Sequence, residues 1–176
     1  ASYARLLLDD TEASDPKRPF LEKIEEQAFR ASRLVGSLLD LARGRPRELA
    51  PLEPQHVARE AARSLETDLK GRNVQLILDL PADTPRIAGH EDALVQVLVN
   101  LLKNGLEAVT GRPEPRVSLR LGHTGAKVTF QVEDNGMGMT PDEARHAFEP
   151  FFSTKKAAGG TGLGLAIAKD IIHAHG

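Results

Sequence analysis

Two short segments, RVSLRL at 116–121 and KVTFQVED at 127–134, alternate apolar and polar side chains strictly, with only GHTGA between them. Successive side chains of a strand point to opposite faces, so each segment must bury one face. Their close succession makes them an antiparallel pair. A sheet of this kind needs a helical layer, and the chain offers one at 91–109. There Leu94, Val97, Leu98, Leu101 and Leu102 gather on one side. VQLILDL (74–80) reads as a further strand, and residues 55–71 as a helix carrying Val57, Ala61, Leu65 and Leu69, ended by Gly71. TGRPEP (110–115) is a loop. A stretch punctuated by Gly and Pro runs to about 162, and a last helix begins near Leu165. Helices interleaved with a mostly antiparallel sheet define an α+β class, a two-layer α/β sandwich, after residue 50.

The N-terminal quarter follows a different period. Residues 1–8 read as the last turns of a helix, and DDTEASDPKRP (9–19), with two prolines, as a turn-rich break. Then Leu21, Ile24, Ala28, Ala31, Val35, Leu38 and Ala42 recur at alternating steps of three and four, with Phe20, Leu34 and Leu41 widening the stripe. Such an a/d stripe needs a partner, which suggests a helical hairpin over 1–43 that forms a homodimer as a bundle. An amphipathic helix packed on its own domain is the alternative. GRPRELAPLEP (44–54), rich in proline, reads as a linker or edge segment, leaving 55–176 as the larger domain. The chain opens as ASYARLLLDD, without Met and partway along a helix, as a fragment of a longer protein would.

Composition narrows the chemistry. The 176 residues carry a net charge of −2, which recommends neither nucleic acid nor a membrane surface as partner. With no cysteine, disulfides, thiolate catalysis and Cys-ligated zinc are excluded, and a cytoplasmic setting fits. Aromatic residues are only 4% of the chain, so the core must be built from Leu, Val, Ile and Ala. The longest apolar run, Leu94–Leu102, is interrupted by Gln96 and Asn100 and falls short of the roughly 20 residues of a membrane span. Any membrane contact is therefore expected through segments outside this chain.

Four short stretches could carry chemistry. Asn100 and Asn104 stand at i, i+4 on one face of the 91–109 helix, opposite its leucines. A carboxamide oxygen is a hard ligand suited to Mg²⁺, although two such residues could equally cap loops or face solvent. VEDNGMGM (132–139) follows a strand. Asp-Asn-Gly is a hairpin-turn signature, yet no return strand follows. A carboxylate there accepts hydrogen bonds, as the amino group of adenine requires. In GGTGLGLAIAK (159–169), Gly160, Gly162 and Gly164 let backbone N–H groups turn toward an anion, and the helix start adds its positive end. It is neither a phosphate-binding P-loop nor a dinucleotide fingerprint. Thr154, Lys155 and Lys156 offer cationic donors or merely a solvated face. Finally, Phe148, Phe151 and Phe152 cluster in PDEARHAFEPFFSTK (141–155), as anchors of a lid or as a satellite core.

The order NLLKNGLEA, DNGMGM, FEPFFSTK, GTGLGLAIAK resembles the N, G1, F and G2 boxes of the sensor histidine kinases. Residues from about 50 resemble their ATP-binding domain, of the GHKL or Bergerat fold, and 1–43 their dimerisation and histidine-phosphotransfer hairpin. The resemblance implies that Asn104 ligates Mg²⁺ and that Asn100 supports the metal or the phosphates. Asp134 would accept the adenine amino group, with Gly136 and Gly138 letting the chain pass close to the base. Lys155 would neutralise phosphate charge, and Gly160, Thr161, Gly162, Leu163 and Gly164 would cradle the triphosphate. The implied reaction is transfer of the γ-phosphoryl group of ATP to a histidine, for relay to an aspartate of a response regulator.

The family's phosphoacceptor His, followed by an acid, is expected just upstream of Ala1, and the strands closing its sheet beyond Gly176. His90-Glu91-Asp92 has a His-acid pair but lacks the expected Pro, and His173 and His175 fit a helix C-terminus. Two further readings stay open. The Hsp90, MutL and gyrase B ATPases of the same fold place a Glu where this chain has Asn100, which cannot take a proton from water. A degenerate kinase serving as a dimeric scaffold would not need four intact boxes.

Overall fold

The computed structural model describes residues 3–12, 15–25, 28, 49–125, 127–155 and 160–175. The chain divides into two compact units, Ala1–Gly44 with Ser153–Thr161, and Arg45–Phe152 with Gly162–Gly176.

In the smaller unit, α1 spans Tyr3–Asp9 and α2 covers 18–25. The turn between them is written in its polar residues. Asp15 Oδ1 accepts the Lys17 N–H at 2.7 Å, and the Arg18 guanidinium donates to the carbonyls of Leu8 and Thr11 at 3.3 and 2.7 Å. The Leu8 carbonyl in the last turn of α1, and that of Thr11 just beyond it, thus find a partner on the next helix. Phe20 and Ile24 are exposed, at 70% and 56%. The heptad positions Ala31, Val35, Leu38 and Ala42, and Leu34 and Leu41 beside them, lie outside the described residues.

The larger unit holds β1 (Ala50–Leu52), α3 (Pro54–Arg63), α4 (Glu66–Leu69), β2 (Gln75–Asp79), β3 (Ile87–Gly89), α5 (Glu91–Ala108), β4 (Arg116–Thr124), β5 (Lys127–Asp134), α6 (Pro141–His146) and α7 (Gly164–His175). The alternating segments do form an antiparallel pair, in register from Val117 opposite Asp134 to Thr124 opposite Lys127. On its other edge β4 pairs with β2 in parallel, giving a three-stranded order β2-β4-β5. A parallel pair needs a crossover, and α5 lies within it.

Leu94, Leu98, Leu102 and Leu106 recur at steps of four along α5 and are all buried. They meet Val57, Ala61 and Leu65 from the α3 side and Val117 and Leu119 of β4 in one cluster. Each such leucine contributes about 1.5–3 kcal/mol by leaving water. Leu101, expected with them, is only partly buried, because the stripe at steps of four leaves it on the flank. α7 packs along the same helix, so α5 lies at the centre of the unit.

The structure sharpens three of these readings. The helix expected over 55–71 is two helices. Ser64 Oγ donates back to the Glu60 carbonyl at 2.9 Å, and Leu65 turns fully into the core, so the backbone breaks between them. β1 and β3 form a second, two-stranded sheet with Ala50 opposite Gly89, and β1 lies inside the segment read as linker or edge. Phe148 and Phe151 are exposed rather than gathered into a satellite core, while Phe152 stacks at a tilt on His146, ring centroids 5.7 Å apart.

Candidate functional site

The face of α5 turned from its leucine stripe carries Asn100, Asn104 and Ala108 at steps of four, with Gly105 beside them. At one end of this strip, Asn100 Nδ2 donates to the Gly164 carbonyl at 3.3 Å, tying α5 to the first turn of α7. In the middle, Asn104 is partly buried and its carboxamide has no hydrogen-bond partner among the described residues. At the other end the chain leaving β5 folds onto the last turn of α5, where Met137 N–H donates to the Ala108 carbonyl at 3.2 Å.

The register of β5 against β4 brings Asp134 to this last turn. Gly105 is what lets it come so close. A Cβ on Gly105 would lie 3.2 Å from a methyl of Val117 and 3.5 Å from the Asp134 Cβ. Asp134 is exposed, and its Oδ1 accepts the Gly136 N–H at 2.9 Å, so Asp-Asn-Gly forms a side-chain-closed turn without a hairpin. Gly136 is needed for packing on the protein itself, since a Cβ there would stand 2.6 Å from the carbonyl carbon and oxygen of Ala108. Gly138 has φ +70° with open space where a Cβ would be.

Asn135 was not among the candidate residues, yet it clamps the strand end. Its Oδ1 accepts the Arg116 N–H at 2.8 Å and its Nδ2 donates to the Glu114 carbonyl at 2.9 Å. Arg112 adds a bond to the Gly136 carbonyl at 3.2 Å. Its position directly after a strand could have flagged Asn135, but its partners are far off in sequence.

At the α7 end, Gly162 has φ +69°, and a Cβ there would meet the Phe151 carbonyl carbon at 2.5 Å. Its carbonyl accepts the Phe151 N–H at 2.9 Å, so backbone pairs with backbone beneath the phenylalanines. The Leu163 side chain is buried, which leaves only its backbone for a ligand. Gly164 opens α7, whose first N–H groups are unpaired within the helix. Lys155, Gly160 and Thr161 belong to the other unit. There Gly160 N–H donates to the Lys155 carbonyl at 3.0 Å, and Lys155 N–H to Ser153 Oγ at 3.1 Å, closing a small loop. Lys156 lies outside the described residues.

Among the described residues no cluster of three or more His, Asp or Glu side chains could hold a metal ion. A cation here would instead use an amide oxygen together with oxygens of a bound ligand, and the Asn104 carboxamide, without a partner among the described residues, is suited to it. No helix among the described residues is long and apolar enough to cross a membrane.

A sandwich whose central helix carries a polar strip, with a carboxylate at one end and a glycine-opened helix at the other, is a Bergerat-type ATP-binding domain. The chain belongs to the histidine kinase-, DNA gyrase B- and HSP90-like ATPase family, whose model matches residues 89–176. It is 35% identical over its whole length to the C4-dicarboxylate transport sensor protein DctB of Pseudomonas aeruginosa, of which it spans 29%. Among solved structures, full-length ShkA in complex with AMPPNP aligns over 97% of this chain and 36% of its own, with a TM-score of 0.74 and 28% identity. The nucleotide-free catalytic domain of histidine kinase ThkA aligns over 73% of this chain and 82% of its own, with a TM-score of 0.65 and 26% identity. ThkA in complex with response regulator protein TrrA shares the fold over 98% of this chain and 51% of its own, with a TM-score of 0.73 and 19% identity. The ATP-binding domain is thus of the sensor histidine kinase type.

Proposed function

We propose that this chain binds Mg²⁺·ATP along α5 and directs its γ-phosphoryl group to a histidine, in a dimeric sensor kinase that passes the group on to a response regulator. The observation that carries the reading is the polar strip itself. One rigid helix touches the Asp134 turn at Ala108 and the glycine-opened α7 at Asn100, about 12 Å apart at 1.5 Å per residue. Adenine takes the Asp134 end, where the carboxylate accepts the exocyclic amino group. The phosphates take the other end, where the first N–H groups of α7 point outward and the helix dipole favours negative charge.

Bound Mg²⁺ would neutralise charge on the phosphate oxygens, and Asn104 would hold it. Asn100 orients the start of α7 through the Gly164 carbonyl. Lys155, from the other unit, is assigned to phosphate charge by its place in the motif alone. Phosphoryl transfer needs little beyond such positioning and charge stabilisation. An amide at position 100 favours transfer over hydrolysis, because an Asn cannot accept a proton from an attacking water. The kinship to DctB and the ThkA–TrrA complex support a response regulator as the partner.

The test is labelling of the full-length parent protein with γ-labelled ATP. A kinase gives acid-labile, alkali-stable label on the protein. Free phosphate released without protein label would contradict phosphotransfer and favour the ATPase reading.

A further inference from the structure

α5 and α7 run antiparallel, and a polar bond ties each end of their contact. The tie near the proposed phosphates is Asn100 to the Gly164 carbonyl. The tie at the far end is His175. Its Nδ1 bonds the Ile171 carbonyl at 2.7 Å, and a carbonyl can only accept, so Nδ1 carries the proton. Nε2 is then an acceptor, and it receives the backbone N–H of His90 at 3.0 Å.

His90 is the N-cap residue of α5, which has no side-chain cap of its own. The two imidazoles also meet edge to face, with centroids 5.6 Å apart. Gly89 makes room for the contact, since a Cβ there would lie 3.3 Å from His175 Cδ2. Between the ties, α7 from 164 to 175 rises about 16 Å and α5 from 90 to 100 about 15 Å, so the two spans match.

From this we infer that His175 is a positioning residue. It fixes the sliding register of α7 on α5, and thereby where the N–H groups at the start of α7 stand relative to Asn100 and Asn104. The inference rests on the nucleotide site proposed above. The Asp134 turn is built from β5 and the last turn of α5 and takes no part in the tie. Loss of His175 should therefore disturb the phosphate end and spare the adenine end.

The test compares the parent chain with His175→Leu, His175→Gln and Asp134→Asn, titrating Mg²⁺·ATP and adenosine, with melting followed by circular dichroism to establish folding. Leu keeps bulk without an acceptor, whereas the Gln carbonyl can replace Nε2. His175→Leu should weaken Mg²⁺·ATP by roughly five- to tenfold, the worth of one partly buried hydrogen bond, with adenosine unchanged. His175→Gln should restore most of the loss. If His175→Leu binds Mg²⁺·ATP like the parent while Asp134→Asn does not bind, the positioning role is wrong and the site stands. If the Leu variant loses adenosine equally, or Gln restores nothing, His175 only supports folding and the inference fails. If Asp134→Asn binds Mg²⁺·ATP like the parent, the site itself is misassigned and the inference falls with it.

Discussion

Gly162 and Gly136 show how single atoms decide this site. At Gly162 a β-carbon would be forced to φ +69° and to 2.5 Å from the Phe151 carbonyl carbon. Gly162→Ala should therefore part the Phe151–Gly162 backbone pair and cost about 1–3 kcal/mol, read from urea unfolding. Gly136→Ala meets backbone of α5 rather than a flexible side chain, so it should lower stability similarly and also displace Asp134. His146 carries a charge effect. Its Nδ1 bonds the Asp142 carbonyl at 2.9 Å, and with the carboxylates of Glu149 and Asp142 nearby this raises its pKa against a small opposing effect of burial. Because the folded value lies above the unfolded one, the stabilisation is complete below the ordinary imidazole pKa and fades as pH rises through the raised value. An NMR titration of the ring should give a midpoint above the ordinary range, and Glu149→Gln should bring it down. A midpoint unmoved by that substitution would remove Glu149 as a cause.

Helix α5 concentrates both stability and placement, on opposite faces. Leu102→Ala empties a fully buried position and should cost about 2–5 kcal/mol in chemical denaturation. Lys103→Ala, one residue on, removes only an exposed ion pair to Asp68 at 3.3 Å and should change stability by less than about 0.5 kcal/mol. α6 is held differently, by a capping box in which Thr140 Oγ1 accepts the Glu143 N–H and Glu143 reaches back to the Thr140 N–H. Thr140→Ala should cost about 1 kcal/mol, most of it in that segment. Periodicity made α5, β4 and β5 legible in the sequence, since each is long enough to repeat its pattern. β1 and β3 have three residues each, too few to show a period, and pairing of Ala50 with Gly89 and of Leu52 with Ile87, far apart in the chain, supplied what the local sequence could not. The break at Ser64 depended on one hydroxyl choosing its own backbone. Asn135 escaped notice because its partners, Glu114 and Arg116, are 21 and 19 residues away.

The two compact units divide the candidate residues between them. Asn100, Asn104, Asp134, Gly136, Gly138, Gly162, Leu163 and Gly164 share the larger one, whereas Lys155, Gly160 and Thr161 lie in the smaller. Motif order in the sequence listed them as one set, because order records what a chain can assemble and not which parts form a single compact body. The chain spans 29% of the length of DctB. The central claim is that one nucleotide lies along α5 with adenine at Asp134 and metal at Asn104. Calorimetric titration of Mg²⁺·ATP and ADP into the parent chain, Asp134→Asn and Asn104→Ala tests it most directly. Binding of both nucleotides should vanish in Asp134→Asn, while Asn104→Ala should lose mainly the Mg²⁺-dependent part. Equal binding by all three proteins would contradict the account.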